Sequence, residues 1–128
     1  MKMVVEAQKV LDFLAGNMAV VTKFKLAEKL YITIFDYSYL LAGVYMTQNI
    51  NHNLYIIKQF VSQNMEILYY EQKEANLFAK LKSVYNDVDD LILMKCAILQ
   101  TNSLPIYTDK PIYEKIKKIK IIKEENDF

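Results

Sequence analysis

Carboxylates stand at two places in this chain where they could bind a metal ion together. Asp87, Asp89 and Asp90 precede a nearly all-apolar stretch that predicts a helix, and a later apolar run ends in Thr108 and Asp109. Acidic residues at a helix N-terminus and at the carboxyl end of a strand lie where open α/β sheets build their sites. Carboxylate oxygens are the ligands that Mg²⁺ and Mn²⁺ prefer. The pattern therefore indicates a candidate divalent-metal site.

A third acid, Glu6, follows the first predicted strand at residues 3–5. A buried carboxylate needs a partner, so Glu6 is either a metal ligand or one half of an ion pair with Lys9 or Lys110. Asp109 has a simpler alternative as a turn or cap residue. The aspartates at 87, 89 and 90 have one too, because acids at a helix N-terminus cap it and interact favourably with its dipole.

The elements that would position these acids alternate along the chain. Strands are predicted near residues 3–5, 30–35, 67–70, 106–108 and 119–122; helices are predicted near 10–14, 18–29, 36–47, 54–61 and 71–84, from Asp87 onward, and as a short helix opened by Pro111. Gly16 and Asn17 indicate a helix stop, Asp36 is a candidate N-cap, and residues 49–53 form a polar break. Alternating strands and helices predict an α/β fold with a mostly parallel sheet between helical layers.

Composition narrows the functional classes. The 128 residues predict a single domain over 1–128, and a hydrophobic fraction of 53% is typical of a globular protein. The net charge of +1, with lysine as the only strong cation, argues against a dedicated polyanion binder and excludes guanidinium forks for phosphate. Cys96 is the only cysteine, so no internal disulfide forms, and it is interpreted as a small buried hydrophobe. No apolar run approaches about 18 residues, so a cytoplasmic protein without a membrane segment is expected.

Two surface patterns each allow more than one interpretation. The basic run could contact RNA phosphates or blunt an exposed edge strand; it comprises Lys115, Lys117, Lys118, Lys120 and Lys123. The tyrosines could stack on bases, form an interface or pack within the protein; they include Tyr37, Tyr39, Tyr45, Tyr69 and Tyr70. His52 falls in the polar break and is interpreted as a surface residue.

The order of these motifs resembles a known family. Four motifs occur in the order found in that family. They are the first strand with its acid, at residues 4–14; a second strand–helix unit, at 32–45; an aspartate that opens an apolar helix with alanine seven residues later, Asp90 with Ala97; and a strand that ends in Thr-Asp before a short aromatic helix, at 104–113. Nearly the whole chain is covered. Together they resemble a PIN domain, the fold of metal-dependent ribonucleases that includes the VapC-type toxins.

The resemblance implies a three-layer fold and a set of site residues. The implied catalytic residues are Glu6, Asp90 and Asp109, the implied metal ligands are these three with Asp89, and the implied walls of the site are Tyr39, Thr108 and Lys110. Three positions depart from the family pattern. Glu6 stands where the family has aspartate, Tyr39 falls near the place of a family glutamate, and Lys110 stands where an acid is frequent.

These departures lower the expected activity. With one acid missing and one lengthened, Mg²⁺ or Mn²⁺ is expected to bind weakly, and nuclease activity is expected to be weak or lost. The alternative is an active Mg²⁺- or Mn²⁺-dependent endoribonuclease, the toxin of a toxin–antitoxin pair, with a variant site. The resemblance also implies RNA and an antitoxin-like protein as partners. A homodimer is expected as well, because the apolar, tyrosine-rich helices at 36–47 and 54–63 exceed what one core needs.

Overall fold

One parallel sheet organises the molecule. The computed structural model describes residues 1–124, and its strands lie in the order β3-β2-β1-β4-β5, each parallel to its neighbour. The elements are β1 (Lys2–Val5), α1 (Ala7–Leu14), α2 (Met18–Leu26), β2 (Lys29–Thr33), α3 (Ile34–Val44), α4 (Ile50–Asn64), β3 (Met65–Leu68), α5 (Gln72–Val84), α6 (Asp90–Asn102), β4 (Ile106–Tyr107), a 3-10 helix (Pro111–Lys115) and β5 (Ile121–Ile122). The predicted α/β fold is confirmed.

Helices cover both faces of the sheet, so the side chains that alternate between the two faces of a strand are buried on either side. In the central strand β1, Met3 and Val5 pack into a core with Val10, Phe24 and other residues of the first four helices. Val4 points the other way, into a core centred on α6. The side chains of Met3, Val4 and Val5 are all inaccessible to solvent, which explains why β1 is apolar after the exposed Lys2.

Local signals at the helix ends agree with the sequence. Gly16 takes a φ of +82° after α1, and the Asn17 side chain accepts a hydrogen bond from the Val20 amide to cap α2. Glu71 and Glu74 form a reciprocal capping box at the start of α5. The predicted helix stop and the predicted helix at 71–84 are therefore confirmed, the latter beginning one residue later.

Several boundaries differ from the prediction; the third strand is Met65–Leu68 rather than 67–70, and three other differences involve cap-forming residues. The second strand ends at Thr33, and Thr33 rather than Asp36 is the N-cap of α3. The polar stretch at 49–53 is not a break: α4 begins at Ile50, with Asn49 as its N-cap residue and His52 exposed within its first turn. The acidic helix begins at Asp90, and Asp89 caps it. In each case cap-forming polar residues lie next to an apolar pattern, and sequence alone places such boundaries only to within a few residues.

The parallel strands bring distant parts of the chain to one edge. The residues that follow β1, β2 and β4 are Glu6, the first turn of α3, and Thr108. These strands are direct neighbours, so polar side chains at their carboxyl ends meet there. No helix within residues 1–124 combines the length and the apolar character that crossing a membrane requires.

Candidate functional site

Glu6 is the centre of a buried polar cluster at the carboxyl edge of the sheet. It is 5% exposed and accepts hydrogen bonds from Thr108 Oγ1, from the Tyr113 hydroxyl at 2.9 Å and from Lys95 Nζ at 2.5 Å. The half-exposed Lys110 ammonium lies 3.6 Å from the same carboxylate. The Glu6 side chain thus has donors on both of its oxygens, and the alternative that it pairs with Lys110 is confirmed.

Asp36 is the second carboxylate of the cluster. The Asp36 amide donates to Thr33 Oγ1 at 3.2 Å in the first turn of α3, which fixes the residue against the end of β2. Lys95 Nζ lies 3.0 Å from Asp36 Oδ2. One ammonium therefore bridges the two carboxylates that stand at the ends of neighbouring strands.

Lys95 reaches this place from the middle of α6. Its side chain is only 2% exposed, and its Nζ lies 5.8 Å from the centre of the Tyr113 ring. We call Glu6, Asp36, Lys95, Thr108 and Tyr113 the carboxylate–lysine network. With Lys110 at its rim, the two negative charges face two positive ones, so the cluster is close to neutral.

The network determines the charge state of Glu6. Burial by itself raises the pKa of a carboxyl group, but the adjacent Lys95 ammonium, with the Thr108 hydrogen bond and Lys110, holds the pKa of Glu6 below its usual value. The same burial and the neighbouring Glu6 carboxylate raise the pKa of Tyr113. At neutral pH, Glu6 is therefore an ionised acceptor and Tyr113 a neutral donor.

The donor set does not fit a divalent cation. Within residues 1–124, no group of three or more histidine, cysteine, aspartate or glutamate side chains is arranged to hold a metal. The space between the Glu6 and Asp36 carboxylates is filled by the Lys95 ammonium. A protein cation thus stands between the two acids that could otherwise share a metal.

The predicted residues Glu6, Asp90 and Asp109 form no metal-holding group among residues 1–124, and each has a protein partner. Asp90 is largely exposed and pairs with Lys82 at 2.8 Å. Asp90 and Lys95 are five residues apart, which on an α-helix is a rotation of about 140°. Because Lys95 faces Glu6, Asp90 faces away from it. The catalytic roles assigned to these residues stay predictions.

The other predicted ligands have local partners. Asp89 accepts from the Leu91 amide at 3.1 Å as the cap of α6, which agrees with the capping alternative. Asp109 is exposed and accepts from Lys9 Nζ at 2.9 Å. Lys9 itself is buried and also contacts Glu124. Asp109 therefore belongs to a neighbouring ion pair beside the carboxylate–lysine network.

Of the predicted wall residues, two contact Glu6 and one does not. Thr108 and Lys110 bind the Glu6 carboxylate directly. Tyr39 is 72% exposed and lines an apolar groove instead. The acid near this position is Asp36, which lies three residues, or nearly one helical turn, before Tyr39.

Sequence reasoning missed Asp36, Lys95 and Tyr113. Asp36 was assigned to a cap, and Tyr113 was noted only as an aromatic residue. Lys95 carried a usable signal: it is the single charged residue in the run from Leu91 to Leu99. A lone lysine inside a buried apolar helix requires buried carboxylate partners.

An apolar groove lies between α1, α3 and α4. It has a volume of about 390 Å³ and is lined by residues that include Leu11, Leu14, Tyr39, Gly43 and Ile56. We call it the α1–α3–α4 groove. Large apolar side chains are exposed on α4 (Tyr55), directly after α3 (Tyr45, Met46) and at the start of α2 (Met18).

Comparisons with known proteins give a match at the level of structure alone. No family model matches the chain, and no curated protein matches it by sequence. A DNA-bound VapBC from Salmonella typhimurium matches with a TM-score of 0.84 at 17% identity, over 97% of this chain and 98% of that chain. VapBC-1 from nontypeable Haemophilus influenzae matches with a TM-score of 0.84 at 10% identity, over 98% and 100% of the two chains.

A third structure is described as a member of the VapBC family of toxin–antitoxin systems, VapBC-5 from Mycobacterium tuberculosis. It matches with a TM-score of 0.70 at 18% identity, over 95% of this chain and 98% of that chain. At these identities the likeness concerns the fold, and it extends over essentially the full length of both chains. The chain therefore has the VapC-type PIN-domain fold that its sequence resembles.

Proposed function

We propose that this chain is a VapC-like protein that binds an antitoxin-like partner and whose metal-dependent ribonuclease activity is weak or lost. The observation that carries the second part is the position of Lys95 between Glu6 and Asp36. These are the two carboxylates at the carboxyl ends of adjacent strands. The chain is accordingly expected to bind Mg²⁺ or Mn²⁺ weakly and to cleave RNA slowly or not at all.

Electrostatic magnitudes support this proposal. Two unit charges 4 Å apart in an effective dielectric of about 20 interact by roughly 4 kcal/mol, so the Lys95 ammonium would repel a dication by roughly 8 kcal/mol and offset about half of the attraction exerted by the two carboxylates. The ammonium also contacts both carboxylates, at 2.5 Å and 3.0 Å. A metal bound by both Glu6 and Asp36 would therefore need the buried Lys95 side chain to move.

The alternative, an active Mg²⁺- or Mn²⁺-dependent endoribonuclease with a variant site, has one observation in its favour. Glu6 is ionised because its pKa is lowered, and Asp36 lies on the other side of the same ammonium. Displacement of Lys95 on RNA binding would leave two carboxylates for a metal. The two proposals thus differ in whether Lys95 stays in place.

The partner-binding part is supported by exposed apolar surface. The α1–α3–α4 groove includes α3 and α4, the two helices whose apolar surface the sequence assigned to a homodimer, and it could equally receive an apolar segment of another protein. Apolar patches of this kind usually mark protein contacts. The three similar structures described above are VapBC structures, one of them named as a toxin–antitoxin system, which favours an antitoxin-like protein as the partner.

The activity is tested with a fluorescent RNA time course in Mg²⁺ and in Mn²⁺. The proteins compared are wild type, Glu6→Gln, Asp36→Asn, Lys95→Asn, and Lys29→Asn as a control. Lys29 pairs with Glu66 at 2.7 Å on the exposed side of β2, away from Glu6. Wild type is expected to cleave no faster than Glu6→Gln, whereas Lys95→Asn replaces the ammonium with a neutral oxygen ligand and should gain Mn²⁺-dependent cleavage.

Robust Mg²⁺-dependent cleavage by wild type, abolished by both Glu6→Gln and Asp36→Asn, would establish the alternative.

The partner is tested separately by co-expression with the product of the adjacent reading frame. A stoichiometric complex that Ile56→Glu disrupts, while Val84→Glu does not, supports the proposal; both side chains are exposed, but only Ile56 lines the groove. A chain that purifies alone would count against an antitoxin partner.

A further inference from the structure

A second groove lies at the opposite edge of the sheet, where the strands begin. It has a volume of about 770 Å³, and its floor is formed by Leu77 of α5, Leu99 of α6, and Leu104, Pro105 and Ile119 in the segments before β4 and β5. We call it the amino-edge groove. The floor is apolar and concave, so it offers burial to one or two apolar side chains.

The rim of this groove is basic. Lys2, Lys118 and Lys120 line it, all three are exposed, and none forms an ion pair with another residue of the described chain. Among residues 1–124, no acidic side chain lines the groove. Its positive charge is therefore not neutralised from within the described chain.

The rim is also held in place before any ligand arrives. Lys118 has a φ of +68°, a conformation that non-glycine residues rarely adopt. The Gln100 side chain donates to the Lys117 carbonyl at 3.0 Å, and the Ile106 amide donates to the Lys120 carbonyl at 2.9 Å. These bonds fix the backbone that carries two of the three lysines, so little ordering is needed on binding.

The occupant follows from these features. No aromatic side chain of the described chain lines the groove, so stacking of nucleic-acid bases finds no platform there. A membrane surface is met by protruding apolar side chains, whereas this floor is recessed. We propose that the amino-edge groove binds an acidic peptide segment of a partner protein, with apolar side chains on the floor and carboxylates at Lys2, Lys118 and Lys120.

The test is a titration followed by ¹⁵N–¹H correlation spectra. The probe is a synthetic peptide of sequence Asp-Glu-Leu-Leu-Glu-Asp, and a second peptide carries serine in place of both leucines. The variant is Lys118→Asn with Lys120→Gln, since asparagine tolerates the positive φ. The control is Lys25→Gln with Lys58→Gln, which removes the same charge from exposed lysines that do not line the groove.

We expect saturable shifts of the Leu99, Leu104 and Ile119 amides with the leucine peptide. The affinity for the leucine peptide should fall at least about fivefold in the groove variant, because each exposed charge pair contributes modestly and this variant loses two of them. The affinity should remain unchanged in the control, whose two lysines lie outside the groove. The serine peptide should bind at least about tenfold more weakly. Absence of groove shifts at millimolar peptide, or equal weakening in both variants, would overturn the proposal. So would tighter binding of a 12-nucleotide RNA or of anionic vesicles through the same lysines.

Discussion

The two edges of the sheet use lysine in opposite ways. At the carboxyl edge, Lys95 is buried and paired with Glu6 and Asp36. At the amino edge, Lys118 and Lys120 are exposed and surround an apolar floor. The first arrangement satisfies its charges within the chain and leaves none for a ligand. The second arrangement leaves positive charge available to a ligand. The carboxyl edge, where the sequence predicted a metal site, is therefore the edge with less unpaired charge.

The largest effect is expected from breaking the buried pair. Lys95→Met keeps the volume but leaves the Glu6 and Asp36 carboxylates without their cation, which should cost about 3–5 kcal/mol of unfolding free energy. Lys29→Met removes a lysine from a pair that is roughly half exposed and should cost less than about 1 kcal/mol. Urea unfolding of both variants measures the difference. Equal, small losses would mean that the network does not hold the site together.

Acid should weaken the same edge through Glu6. Its pKa in the folded protein is lowered from the reference value of 4.5, so the ionised group contributes stability that is present above about pH 4.5 and is lost as the pH falls through the folded-state pKa. The free energy of unfolding should decline below about pH 4.5 more steeply in wild type than in Glu6→Gln. The measurement is the urea concentration at the midpoint of unfolding, taken between about pH 3 and pH 7 in steps of about half a pH unit. Parallel profiles would show that Glu6 is not a linked group.

The α1–α3–α4 groove offers a third kind of surface, apolar and without buried charge. If it mediates the predicted homodimer, Ile56→Glu should convert a dimer into a monomer while changing the unfolding free energy of the monomer by less than about 1 kcal/mol. Light scattering at protein concentrations on the order of tens of micromolar gives the mass of the particle in solution. Val84→Glu, at an exposed position on α5, is the matched control. A wild type that is already monomeric there would contradict the dimer.

The smallest effect is expected at Asp90, which sequence reasoning placed in the site. Its side chain is exposed and pairs with Lys82, so Asp90→Asn should change stability by less than about 1 kcal/mol and leave any residual RNA cleavage unchanged. Cleavage rates and urea unfolding of this variant distinguish the exposed Asp90 side of α6 from the side that carries the buried Lys95. Loss of cleavage in Asp90→Asn would return this residue to the site.

The elements of the fold were predictable, whereas the membership of the site was only partly so. Strand–helix alternation predicted the parallel sheet, and the family resemblance implied that Thr108 and Lys110 line the site of Glu6. Asp90 was included through the family resemblance; in the structure its side chain is exposed and pairs with Lys82, and its catalytic role stays a prediction. Asp36 was missed because the true cap, Thr33, lies three residues earlier.

The central claim is that Lys95 takes the place of a metal between Glu6 and Asp36. Isothermal titration with Mn²⁺ on wild type and Lys95→Asn tests it directly. We predict no saturable binding by wild type below about 1 mM and a gain of at least about tenfold in affinity for Lys95→Asn, which Glu6→Gln in the same background removes. Submillimolar Mn²⁺ binding by wild type that Glu6→Gln or Asp36→Asn abolishes would contradict the account.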